Sequence, residues 1–176
     1  MLINKKPLHP NFGVIIEDID INQVSHNFLY KEIRELFENY SVILFKNQKI
    51  SDDTHINFAK LFGQLENREA MATNSDVEFE LSLVTNQKED KSVYDEYDIK
   101  TLDLKANMLW HTDSTFLPIP ALANIITAKI IPSSGGQTEL ASTRVALKKL
   151  PKDLYYNIKD KKIWHNLSHS RKQINN

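Results

Sequence analysis

The chain contains no cysteine. Disulfide bridges, thiolate zinc sites and a thiol nucleophile are excluded on that ground. Charge of one sign is not in excess: 22 Lys and Arg stand against 23 Asp and Glu. Such a balance gives no electrostatic footprint for nucleic acid or a membrane surface, and neither is expected as a partner. No apolar stretch approaches the ~20 residues of a membrane span. The N-terminus, MLINKKPLHPNFG, lacks an apolar signal core and a cleavage-site pattern. A soluble, cytoplasmic protein is the expectation. Glycine is scarce as well, with only four residues. Gly13 stands at the entry to a strand, Gly63 follows an apolar-periodic helix, and Gly135-Gly136 makes one turn. So few glycines imply that each answers a local backbone need.

At 176 residues the chain suffices for one domain, 1–176, with a real core. It shows no repeats and no low-complexity tract. Residues 12–16 read as a short strand, followed by the acidic turn Glu17-Asp18-Ile19-Asp20. Leu29, Ile33, Leu36, Phe37 and Tyr40 recur at helical spacing, which predicts an amphipathic helix over 26–40. Residues 41–45 form a continuous β-rich run and read as a buried strand. Ser51 suits a helix N-cap, and Asp52 and Asp53 suit the positive end of the helix dipole.

Beyond Gly63 the pattern weakens. A strand is predicted at 81–85, and the polar segment 86–105 reads as a long loop. Strands are predicted at 121–131 and 138–141, on either side of the turn at 132–136. A helix follows at 143–150, and Pro151 opens another toward Lys161. Residues 163–169 are assigned a last strand. Two helices outside many short antiparallel strands suggest a mostly β fold of jelly-roll type.

The chemistry concentrates in Trp110-His111-Thr112-Asp113. On an extended strand residues i and i+2 share a face, about 6–7 Å apart at the Cα level. One imidazole and one carboxylate so placed converge on a metal ion. Two histidines and one carboxylate hold non-haem Fe(II) with positions left open for O2 and a co-substrate. An isolated His-x-Asp is common and by itself a weak signal; the alternative is a surface pair at a strand end, which the extended context here disfavours. The Thr138 hydroxyl, just after Gly135-Gly136-Gln137, can donate to a carboxylate, but a turn threonine is normally the favoured role at such a place. His165 and His169 have zinc-pair spacing for a helix, but Asn166 and Ser168 interrupt the region and favour structural histidines. Arg144 and Arg171 are the only arginines after the His-x-Asp run, and no pattern directs either to an anion. His9, His26 and His55 need no special role.

Several blocks stand out along the chain: Pro7-Leu-His-Pro10 with Glu17-Asp-Ile-Asp20, Ser41-Val-Ile-Leu-Phe45, and Phe58-Ala-Lys-Leu-Phe-Gly63 with Leu65-Glu66. They continue through Ala106 to Phe116, Pro132-Ser-Ser-Gly-Gly-Gln-Thr-Glu139 and His165 to Arg171. Together these blocks resemble the taurine dioxygenase / 2,4-dichlorophenoxyacetate dioxygenase family of Fe(II)- and 2-oxoglutarate-dependent oxygenases, closer to its aryloxyalkanoate branch.

The resemblance implies a double-stranded β-helix, a jelly roll with flanking helices. It implies that His111 and Asp113 are the first two iron ligands. Thr138 matches a hydroxyl that contacts the co-substrate carboxylate, and Asn107 matches a position near the substrate and co-substrate pocket. The implied reaction couples decarboxylation of 2-oxoglutarate to hydroxylation of a small organic acid by O2. Family members are longer, and their second histidine ligand and 2-oxoglutarate-binding arginine lie near the C-terminus. No residue here matches either. The expectation is therefore a jelly roll incomplete at the C-terminus, inactive or weakly active as this short chain and compatible with a homo-oligomer. Two other readings stay open: a non-catalytic truncated remnant or binding module, and a cupin-type metal protein using His165 or His169. On the dioxygenase reading, His111 and Asp113 face one cavity and Thr138 lies close to it.

Overall fold

The structure, a computed structural model, describes residues 3–66, 81–115, 117–164, 166, 169 and 172. The chain divides into two compact units. One comprises Met1–Gln64 and Ile125–Lys162, the other Leu65–Asn124 and Ile163–Asn176. Among the described residues no helix is long and apolar enough to cross a membrane.

The first unit is built on a three-stranded sheet of order β1-β2-β3. Strand β1 (Lys5–Pro7) pairs antiparallel with β2 (Val14–Ile16), and β2 pairs parallel with β3 (Ile43–Phe45). The crossover between the parallel strands carries a 3-10 turn at Ile21–Gln23 and helix α1 (Tyr30–Tyr40). Ile33 and Leu36 of α1 are buried with Ile16, Ile19, Ile21, Leu29 and Phe58, forming one apolar cluster. Helix α2 (Asp52–Leu61) begins as its sequence dictates: the Ser51 side chain accepts a hydrogen bond from the Thr54 N–H. Phe58 stands edge-on to both Phe45 and Phe62, with ring centroids 5.8 and 5.5 Å apart. Helices α4 (Thr143–Lys149) and α5 (Lys152–Ile158) complete the unit's regular structure. The second unit carries helix α3 (Ile99–Ala106), N-capped by the Asp98 carboxylate.

Several expectations are corrected. Helix α1 starts at Tyr30 rather than 26, because Ser25 and Phe28 bridge and Leu29 adopts a left-handed backbone. The β3 run is half-buried rather than buried, with Leu44 exposed. Part of the predicted 86–105 loop is α3, whose Ile99, Leu102 and Ala106 keep helical spacing.

The strands predicted at 81–85, 121–131 and 138–141 are not strands here. A strand is defined by its ladder, and no described residue pairs with these segments. Residues 122–128 nevertheless alternate between exposed and half-buried, the period of an extended segment. The assigned strand at 163–169 falls partly outside the described residues, and Ile163 and Trp164 are irregular.

Candidate metal centre

The centre lies in the second unit, a few residues beyond the end of α3. There the helix unwinds through tightened turns. The Asn107 N–H is shared between the Asp103 and Leu104 carbonyls at 3.4 and 3.1 Å, and the Met108 and Leu109 N–H groups bond back to Lys105 and Ala106. Shared bonds of this kind are usual where a helix ends. The chain then leaves the helix and presents His111 and Asp113.

The two side chains meet. His111 Nε2 lies 3.3 Å from Asp113 Oδ1, and both side chains are about half exposed. Each is also fixed at its other polar atom. His111 Nδ1 stands 2.6 Å from the Leu109 carbonyl oxygen. A carbonyl only accepts, so Nδ1 is the protonated nitrogen at that contact. Asn124 Nδ2 donates to Asp113 Oδ2 at 2.6 Å. Just beyond Asp113, Ser114 is buried, holds a left-handed backbone (φ +62°) and donates its hydroxyl to Glu66. A non-glycine residue in that region costs backbone energy, and its buried hydrogen bond helps to offset the cost.

This donor set suits a divalent metal. Two ligands each about 2.0–2.2 Å from one ion, meeting near a right angle, stand about 3 Å apart. The Nε2–Oδ1 separation of 3.3 Å is of that size. With Nδ1 donating to a carbonyl, a neutral imidazole turns its Nε2 lone pair toward the Oδ1 lone pairs, and an imidazolium turns an Nε2–H donor there instead. Two acceptors so close need a cation or a proton between them. A backbone carbonyl holding the far nitrogen of a metal-binding imidazole is a recurrent arrangement. Among the described residues no group of three or more His, Asp or Glu is arranged to hold a metal.

The remaining sequence candidates belong to both units. Asn107 ends α3 and is exposed, in the same unit as the pair. Thr138 is exposed and belongs to the first unit, after the turn in which Gly135 and Gly136 have φ of +74° and +69°. His165 lies outside the described residues; the His169 N–H donates to Asn166 Oδ1 at 3.0 Å. Arg144 is committed to the first unit, where Nη1 donates to the Glu38 carbonyl at 2.7 Å and to Ser41 Oγ at 3.1 Å.

Three contributors were missed in the sequence: the Leu109 carbonyl, Ser114 and Asn124. The first two act through backbone conformation, which residue type does not announce. Asn124 did leave a signal, being the one amide within Ala121-Leu-Ala-Asn-Ile-Ile126. His55 also has more to do than expected. It is 9% exposed, and its Nε2 lies 3.0 Å from the Ile125 carbonyl and Nδ1 3.4 Å from Thr127 Oγ1.

Comparison with known proteins places this geometry in context. The model of the taurine catabolism dioxygenase TauD, TfdA family matches residues 4–175. The alpha-ketoglutarate-dependent 2,4-dichlorophenoxyacetate dioxygenase of Cupriavidus pinatubonensis is 33% identical over 174 residues, covering 97% of this chain and 61% of that protein. The (S)-phenoxypropionate/alpha-ketoglutarate dioxygenase of Sphingobium herbicidovorans is 28% identical, covering 96% of this chain and 55% of its own. Among solved structures, AAD-2 in complex with Mn(II) and N-oxalylglycine superposes with a TM-score of 0.82 at 27% identity. That match spans 98% of this chain and 59% of AAD-2. The chain thus spans somewhat over half the length of the relatives it matches.

Proposed function

This chain belongs to the taurine catabolism dioxygenase TauD, TfdA family, and on that premise we propose that it acts in an Fe(II)- and 2-oxoglutarate-dependent dioxygenase that hydroxylates a small organic acid. The observation that carries the reading is the His111 Nε2–Asp113 Oδ1 approach of 3.3 Å, with the far atom of each side chain already engaged. In this reading His111 and Asp113 are two iron ligands, and Thr138 and Asn107 serve the 2-oxoglutarate and substrate pocket. The two units are parts of one domain of double-stranded β-helix type. The family match, which runs through both units, and the AAD-2 superposition support this. The substrate class draws its support from the phenoxyacetate and phenoxypropionate named in the relatives.

When bound, Fe(II) supplies the oxygen chemistry, with 2-oxoglutarate as the source of two electrons. The protein's contribution is geometric. The Leu109 carbonyl sets the His111 tautomer so that Nε2 carries the lone pair. Ser114, locked to Glu66, fixes the backbone immediately after Asp113. A Thr138 hydroxyl donates to a carboxylate, the group common to co-substrate and organic acid.

The test is succinate release from 2-oxoglutarate in air with Fe(II), with aryloxyacetates, aryloxypropionates, sulfonates and sulfate esters supplied in turn. An acid that raises succinate above the acid-free rate and appears hydroxylated or fragmented supports the reading. Turnover by this chain alone is expected to be weak or nil, so the assay is paired with 2-oxoglutarate binding; no Fe(II)-dependent binding of 2-oxoglutarate would contradict the reading and favour a non-catalytic binding module.

A further inference from the structure

We propose that Asn124 is a positioning residue for the metal centre: by occupying Asp113 Oδ2 it keeps the carboxylate monodentate, with Oδ1 alone turned toward the ion. This rests on the reading of His111 and Asp113 as metal ligands. The geometry is specific. Asn124 Nδ2 donates to Asp113 Oδ2 at 2.6 Å, while Oδ1 faces His111 Nε2 at 3.3 Å. The carboxylate is thereby divided, one oxygen held by an amide and the other presented with the imidazole.

The two supports differ in origin. His111 is steadied by its own segment, since Leu109 is two residues away. Asp113 is steadied from eleven residues further on, beyond the Pro118-Ile-Pro120 break. An unsupported carboxylate about half exposed rotates freely, and both oxygens then compete for one ion. Bidentate binding consumes a coordination position. A centre that must accept both oxygens of a 2-oxo acid and then O2 has none to spare. An amide donor on Oδ2 opposes that collapse at small cost, because it leaves the carboxylate charge in place. Partners that orient a ligand typically change metal affinity by about 10–100-fold when removed.

Asn124 is exposed, so its replacement leaves no cavity. Asn124→Leu keeps approximate size and removes the donor; Asn124→Gln keeps the donor on a longer stem. Mn(II) is titrated into each purified protein and followed by loss of the free-ion paramagnetic resonance signal, with and without N-oxalylglycine. Circular dichroism of the metal-free proteins controls for folding. The expected result has two parts. Mn(II) affinity falls about tenfold or more in Asn124→Leu, with substantial recovery in Asn124→Gln. N-oxalylglycine also strengthens Mn(II) retention in the wild type far more than in Asn124→Leu. A metal affinity and N-oxalylglycine effect unchanged in a folded Asn124→Leu protein overturn the proposal while leaving the metal reading intact. Failure of the wild type itself to bind Mn(II) overturns both.

Discussion

The Nε2 of His55 on α2 lies 3.0 Å from the carbonyl oxygen of Ile125, seventy residues further along the chain. The contact ties an irregular apolar segment to the buried cluster, against which Ile125 also packs. With no ladder pairing for 121–131, this side chain supplies a hydrogen bond that a neighbouring strand would otherwise supply. Replacing His55 by alanine leaves the Ile125 carbonyl without this partner and removes packed atoms. The expected loss is about 1–3 kcal/mol, read from urea denaturation. A loss below about 0.5 kcal/mol would show that the segment is held by other means.

Arg144 joins α4 to the C-terminal end of α1, where the Glu38 carbonyl has no partner within the helix. Arg144→Ala is expected to cost about 0.5–1.5 kcal/mol, because the donors are charged but the contact is exposed. Arg144→Lys is expected to recover only part of the loss, since both bonds come from the one Nη1 at the tip of a rigid planar guanidinium, and the ammonium sits on a stem of different length and direction. Full recovery by lysine in the same denaturation series would reduce the contact to simple charge.

Acid is expected to weaken the first unit. Hydrogen bonds from Lys6 and Lys46 hold the Glu17 carboxyl below its ordinary value of 4.5. A hydrogen bond from Lys129 holds Asp52 below 3.8. In both cases the folded value is depressed, so the contribution is complete above the unfolded values. It is lost as pH falls below about 4.5 and through the folded values. Both carboxylates are exposed, so the effect is small and screened by salt. Thermal midpoints measured from pH 6 to pH 2.5 should fall less steeply for a Lys6→Met, Lys46→Met, Lys129→Met variant than for the wild type. Parallel curves would assign the acid loss to other groups.

What the sequence made legible was mostly local. The Ser51 cap, the two aspartates after it and the apolar stripe of α1 act within a turn or two of helix, and each formed close to where the residues placed it. Strand β1 was missed because Lys5–Pro7 is exposed and polar, its pairing being entirely a matter of the backbone opposite it. Helix α3 was missed because charge dominates its surroundings, although Asp98 and the apolar residues at 99, 102 and 106 carry a cap and a helical period. The 121–131 run shows the converse error. Its β-rich composition and alternating burial are present, but a strand also needs a partner, and composition does not supply one. At the candidate metal centre the pair itself was legible from a spacing of two. The atoms that orient it were not, because Asn124 and the Leu109 carbonyl matter only through where the folded chain brings them.

The central claim is that His111 and Asp113 act together as ligands of a divalent metal that also accepts a 2-oxo acid. The most direct measurement is anaerobic titration of the protein with Fe(II) and 2-oxoglutarate, followed by the visible charge-transfer absorption of the iron chelate. The wild type is expected to develop a saturable band that grows with protein concentration. His111→Ala and Asp113→Ala, each removing one ligand, are expected to abolish it under the same conditions. A band of undiminished strength in either variant, or none in the wild type, would contradict the claim.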